Sequence, residues 1–237
     1  MSMFLEAFTW LADSAAWMGA TSIGHRLGQH LIITMIVVGI AAAIALPVGI
    51  AIGHTGRGRG FVIAAAGAAR AVPTLGLLTI LALAMGIGIT APIVALIVLA
   101  VPPLLAGTYA GIENVERTTI DAARAAGMNE FQIIVHVELP LAAHVILGGF
   151  RSATLQVIAT ATLAAYVSDS GLGRYIFAGL KSRDYPQMLA GALLVAALAI
   201  LIDLGLSVLQ RMVRRSVEPR MPRPRSRVAG PSLKGAS

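Results

Sequence analysis

The chain has 237 residues, of which 57% are hydrophobic and only 12% charged. A soluble globular domain carries about 25% charged residues, so this composition excludes an ordinary soluble protein and leaves room for one membrane domain. There are no cysteines, which excludes disulfides, iron–sulfur clusters and cysteine zinc sites within the chain; the net charge of +7 resides beyond residue 210, where eight basic residues from Arg211 to Lys234 face Glu218 alone.

The first stretch, MSMFLEAFTWLADSAAWMG, has no basic start and carries Glu6 and Asp13, unlike a signal peptide. Phe4, Phe8, Trp10, Leu11 and Trp17 can line one side of a short helix lying in the membrane interface. Residues 1–29 therefore read as an N-terminal interfacial or extracytoplasmic segment. A membrane span needs about 20 mostly apolar residues. Five stretches qualify: 31–53; 61–84, interrupted by Arg70 and Pro73; 91–109, set off by GIGITAP; 141–166, which holds Arg151; and 188–209, which holds Asp203. The pattern predicts an all-α polytopic membrane protein with about five transmembrane helices, filling residues 30–210.

Five spans put the termini on opposite sides. Basic loops stay on the cytoplasmic side, which places the tail there together with Arg57, Arg59, Arg117 and Arg124. Arg26, Arg174, Lys181 and Arg183 then lie outside. The N-terminus is expected outside and the C-terminus in the cytoplasm. Residues 211–237 are rich in Pro and Arg, which predicts a disordered basic tail. It lacks the aromatics that stack on bases, so it reads as a topology anchor and not as a nucleic-acid site.

Between the third and fourth spans stands a polar stretch, DAARAAGMNEFQIIVHVELP, from Asp121 to Pro140. Thr118 can cap a first helix with Asp121 three residues on. Ala122, Ala123, Ala125 and Ala126 favour that helix, and Gly127 suits the left-handed position after it. Asn129 and Gln132 can cap a second helix, along which Phe131, Ile134 and Val135 share a face. Pro140 is expected to keep this helix from running smoothly into the next span. The result is a helix–glycine–helix elbow whose first helix presents mostly methyl groups, a surface that another protein can approach closely.

The spacing Asp121-Ala122-Ala123, three residues, Gly127, nine residues, Val137, one residue, Leu139-Pro140 resembles the EAA loop of ATP-binding-cassette importer permeases, with Asp121 for Glu and Val137 for Ile. The resemblance implies a type I importer permease fold. It also implies that Asp121, Ala122, Ala123, Gly127, Leu139 and Pro140 belong to a coupling helix seated in a cleft of a cytoplasmic ATPase dimer. On this basis Ala123→Arg is expected to leave insertion intact and to uncouple ATP use from uptake. The stretches RAVPTLGLLTIL (70–81) and ATATLAAYVSDSGLGRYIFAGL (159–180) are similar to permeases for osmoprotectants such as glycine betaine, choline, carnitine and proline. Ser168 and Asp169 stand where those permeases carry small residues.

No GxxxxGK[ST] loop occurs in the chain, so a partner is expected to bind and hydrolyse ATP; the chain itself is read as no enzyme and as holding no cofactor. The five histidines show no metal-ligand spacing. Implied partners are the ATPase dimer, a second permease subunit (identical or related), an extracytoplasmic substrate-binding protein docking on GIGITAP and on 168–187, and the plasma-membrane bilayer. Alternatives are the same machine carrying an amino acid such as methionine, or a secondary transporter working without an ATPase.

Arg70, Arg151 and Asp203 lie within spans, each about 10–15 Å from the cytoplasmic face at 1.5 Å per residue. Charges at such depth mark functional positions. Asp203 is expected to pair with Arg151 or Arg70. Tyr166 is a candidate substrate contact, with an interfacial anchor as the plainer reading.

Overall fold

Caps and helix breakers set the element order in the computed structural model, which describes residues 2–19 and 21–217. Helix α1 (Ser2–Ala12) leads through a short turn (Ser14–Trp17) to α2 (Ile23–Thr55). The Ser22 hydroxyl caps α2 by accepting from the His25 N–H, and Gly56 ends it in the left-handed conformation. At 33 residues α2 is about 50 Å long, well beyond a hydrocarbon core of about 30 Å. The expected first span, 31–53, is therefore its C-terminal two-thirds, and the helix begins earlier, at Ile23.

The expected second span is not one helix. It divides into α3 (Arg59–Ala71) and α4 (Thr74–Met85). Pro73 forces Val72 into an extended conformation (φ −74°, ψ 119°), because its ring excludes the preceding residue from the helical region. The two halves nevertheless follow α5 (Thr90–Glu113) from one end to the other. Arg59 lies 3.7 Å from Glu113 at the end of α5, while Leu78 of α4 lines a small cavity with Pro92, Ala95 and Leu96 near its start. Among the described residues, four stretches are single helices long and apolar enough to cross a membrane: Ile23–Thr55, Thr90–Glu113, Glu130–Val167 and Tyr185–Arg215. The α3–α4 pair is a broken crossing beside them. Gly86–Ile89 separates α4 from α5, as GIGITAP predicts.

After α5 come α6 (Arg117–Ala125) and α7 (Glu130–Ile133), then a π-helical turn (Ile134–Glu138) and α8 (Leu139–Thr160). Pro140 does not break this passage. The Leu139 N–H reaches back five residues to the Ile134 carbonyl, and the wider turn makes room for the proline ring ahead of α8. A short turn and α9 (Ala164–Val167) extend α8. The stretch 168–187, expected as a loop, contains α10 (Gly173–Ser182). It turns at Arg183 (φ 59°) into α11 (Tyr185–Val217). Residues 211–217, assigned to the tail on sequence, are thus the last turns of α11; residues 218–237 lie outside the described residues.

The core is three helices deep. Ile33, Val37, Ala41 and Ala45 of α2 pack on Leu96, Ala100, Leu104 and Leu105 of α5, with Ala153 and Val157 of α8 behind them. A buried histidine crosses these layers. His30 Nε2 donates to the Ile158 carbonyl at 3.0 Å, and its Nδ1 accepts from the Leu172 N–H at 3.4 Å; this pattern requires the neutral Nε2–H tautomer. The five aromatic and aliphatic residues expected on one side of α1 do not share it. Trp10 and Leu11 pack inward against a cluster containing Tyr175 and Leu198. Phe4, Phe8 and Trp17 stay exposed, and the Trp17 indole donates to the Leu11 carbonyl at 2.8 Å.

Candidate functional site

Three groups of candidate side chains occupy three levels of the bundle. The first is the elbow. Helix α6 starts without the expected Thr118 cap: Glu116 occupies the cap position and its side chain makes no capping bond. The stop is as expected. Gly127 is left-handed (φ 87°), its N–H donates to the Arg124 carbonyl at 2.9 Å, and the Met128 N–H donates to the Ala123 carbonyl at 3.2 Å. These are the two bonds of a Schellman ending. Asn129 and Gln132 then form a reciprocal capping box with both bonds at 2.9 Å.

Arg124 clamps the two halves. Its guanidinium donates to both Glu130 oxygens, at 2.9 and 3.0 Å, and more weakly to Asp121 at 3.4 Å. The bidentate bond to Glu130 is the main reason its pKa lies above the ordinary arginine value. Asp121 is therefore part of the elbow's own ion network.

The alanines do not all face the same way. Ala123 is 8% exposed and packs with Ile112, Val115, Ile120 and Ile133. It seats the elbow on α5 and α8, which corrects the expectation that it faces a partner. Ala122, Ala125 and Ala126 are exposed, as are Asp121, Gly127 and Pro140; Leu139 is half-buried. On the second helix of the elbow Phe131 is 73% exposed. Exposed methyl groups and an exposed ring on one elbow suit protein docking, since aromatic side chains dominate binding energy at interface centres.

The second level lies within the spans. Arg151 of α8 meets Asp203 of α11 through two bonds, Nε to Oδ1 at 2.5 Å and Nη2 to Oδ2 at 2.8 Å. Both side chains are about one-third exposed, and Arg151 borders a cleft with Ser152, Leu155 and Gln210. The side chain of Arg70 lies outside the described residues.

The third level is the end opposite the elbow. Arg26, 4% exposed, donates to the Asp169 backbone carbonyl and to its carboxylate, the latter at 3.1 Å. Arg174 adds a second bond to the Asp169 carboxylate at 2.8 Å. Asp169, a departure from the osmoprotectant pattern, thus anchors α2 to the start of α10. Nearby Trp10 and Tyr175 stand edge to face with ring centres 5.2 Å apart. Burial is the main reason the Tyr175 phenol has a raised pKa. Sequence spacing missed the Arg26–Asp169 pair, 143 residues apart; the only signal was a charge in a stretch otherwise made of small residues. Tyr166 is exposed and its ring lies 5.6 Å from that of Phe177.

Comparison with known proteins places this geometry. The family described as "Binding-protein-dependent transport system inner membrane component" matches residues 35–219. The glycine betaine/carnitine/choline transport system permease protein OpuCB of Bacillus subtilis is 36% identical over 189 residues, 80% of this chain and 87% of the relative. The choline transport system permease protein OpuBB of the same organism is 36% identical over 79% of this chain and 86% of the relative. The osmoprotectant import permease protein OsmY of Salmonella typhimurium is 41% identical over 55% of this chain and 56% of the relative. Among solved structures, a chain from inward-facing crystals of the MetNI methionine ABC transporter superposes with a TM-score of 0.69 at 22% identity. The match covers 81% of this chain and 95% of that one. A second, from an amino acid ABC transporter, gives 0.63 at 18% identity. These two likenesses establish the all-α fold of type I importer permeases.

Proposed function

From the premise that this chain belongs to the binding-protein-dependent transport system inner membrane components, a family of multi-pass membrane proteins, we propose that it carries quaternary-ammonium osmoprotectants inward. Glycine betaine, choline and carnitine are the named cargoes of relatives that match about four-fifths of its length. In this reading two permease subunits, identical or related, form the pore. A binding protein delivers substrate at the Arg26–Asp169 end. A cytoplasmic ATPase dimer, which alone binds ATP, grips the elbow end. The N-terminus then lies outside and the C-terminus in the cytoplasm, as the concentration of basic residues at the elbow end and in the tail favours.

The observation that carries the coupling role is the exposed patch of Ala122, Ala125, Ala126 and Phe131 on a doubly capped, ion-clamped elbow. A stiff elbow passes a push from its docking face to α5 and α8 without bending. Binding energy can drive a conformational change only through contacts that differ between states, and this patch offers such contacts to an ATPase that opens and closes. Asp121, Ala122 and Gly127 serve the docking face; Ala123 and Leu139 serve its seat on the spans.

The test is reconstitution of the permease with its partner ATPase and binding protein in liposomes. ATP-dependent uptake of labelled glycine betaine or choline is expected. Uptake that persists without the ATPase supports a secondary transporter instead, and uptake of methionine alone removes the substrate assignment.

A further inference from the structure

On the transport reading above, we infer that His54 is the positioning residue that ties the movement of the elbow to α2, through its contact with Glu130. His54 stands in the last turn of α2, and each face of its ring nitrogens meets a different carboxylate. Nδ1 lies 2.8 Å from Glu138 Oε2, and Nε2 lies 3.1 Å from Glu130 Oε2. The contacts extend into a row of polar side chains: Glu138, His54, Glu130, Arg124, Asp121. That row runs from the interior of the bundle to the exposed surface of the elbow.

The two arms differ in their surroundings. Glu138 is 1% exposed at the end of the π turn. Leaving a buried carboxylate without its partner is strongly disfavoured, so this arm stays made. Glu130 is more than half exposed, and exposed ion pairs are weak enough to open and close. The elbow's other anchors, Ile120, Ala123 and Ile133, hold it to Ile112 of α5, to Val115 just after it and to Ala142 of α8. Helix α2 reaches this region with Ile50 and His54. The Glu130 arm is therefore the polar link through which a tilt of the elbow pulls on the long first span.

The two arms can be separated by substitution, since an Asn amide stands near the Nδ1 position and a Gln amide near Nε2. His54→Asn keeps a donor for Glu138 and loses the Glu130 arm. His54→Gln keeps a donor for Glu130. In liposomes with the ATPase and binding protein, His54→Asn is expected to assemble and hydrolyse ATP. Its glycine betaine transported per ATP should fall at least about fivefold, the low end of site-to-site coupling. His54→Gln leaves Glu138 without its partner and should assemble in lower amounts, but the complexes that do assemble should retain most of the wild-type ratio. Should His54→Asn fail to assemble, Glu130→Ala removes the same arm together with the Arg124 clamp, Arg124→Ala removes the clamp alone, and the ratio should fall further in Glu130→Ala than in Arg124→Ala. Wild-type ratios in both His54→Asn and Glu130→Ala overturn the inference. Equal losses in His54→Asn and His54→Gln also overturn it, because they show only structural need for the ring. Absence of ATP-driven uptake by the wild-type complex overturns the transport reading itself, and is seen before any variant is compared.

Discussion

Arg151 and Asp203 face each other across α8 and α11 with two hydrogen bonds, at 2.5 and 2.8 Å. A single charge near the centre of a membrane helix costs about 2.5–3.5 kcal/mol on insertion scales. Two such charges 52 residues apart offset that cost by neutralising each other and tie the fourth apolar stretch to the last. Reversal of either residue, Arg151→Asp or Asp203→Arg, leaves two like charges together and is expected to abolish stable insertion or uptake. The double reversal should restore a substantial part of both. Membrane abundance and uptake measured for all four combinations decide it; no recovery in the double variant removes the pair as a structural link.

Gly107 of α5 and Gly149 of α8 meet where these helices cross. A Cβ added to Gly107 would lie 2.6 Å from the Gly149 Cα, and one added to Gly149 would lie 2.8 Å from the Gly107 Cα. Both neighbours are backbone, so neither can turn aside. Gly148→Ala, next door, would meet only the end of the Gln210 side chain at 3.1 Å. Overpacking of this kind costs typically about 1–3 kcal/mol. Gly149→Ala should therefore lower the melting temperature in detergent clearly more than Gly148→Ala. Equal shifts would mean that the helices separate without cost.

The spans, the elbow and its glycine stop were legible because they depend on local properties: apolar runs, capping residues and one left-handed position. The break at Val72 was visible only as an interruption at Pro73, and a hydropathy run cannot say whether a proline kinks a helix or divides it. Pro140 announced an irregular passage into the next span but not its kind. A π turn absorbs its ring, and nothing in the local residue pattern announces the wider turn. The direction of Ala123 was not legible, since alanine suits a buried seat and an exposed patch equally; only the packing of Ile120 and Ile133 around it decides. The contacts of Arg26 with Asp169 and of His54 with Glu138 join residues 143 and 84 positions apart and required the fold.

The orientation of the two alanines predicts opposite outcomes for one substitution. Ala122 is exposed, so Ala122→Arg should leave the permease folded and stop ATP-driven uptake by blocking the docking face. Ala123→Arg would force a charge among Ile112, Val115, Ile120 and Ile133, which is strongly unfavourable without a partner. That variant should show reduced amounts of folded protein rather than a folded, uncoupled permease. Size-exclusion profiles alongside uptake separate the two, and folded, active Ala123→Arg would contradict the packing.

The most direct test concerns whether the elbow is covered by an ATPase at the cytoplasmic surface. The chain has no cysteine, so Ala126→Cys introduces a single thiol on the exposed patch. In inside-out membrane vesicles a membrane-impermeant maleimide should label it readily when the permease is alone and much more slowly when the partner ATPase is bound. Labelling that is indifferent to the ATPase, or that occurs only from the opposite side of the membrane, would contradict the account.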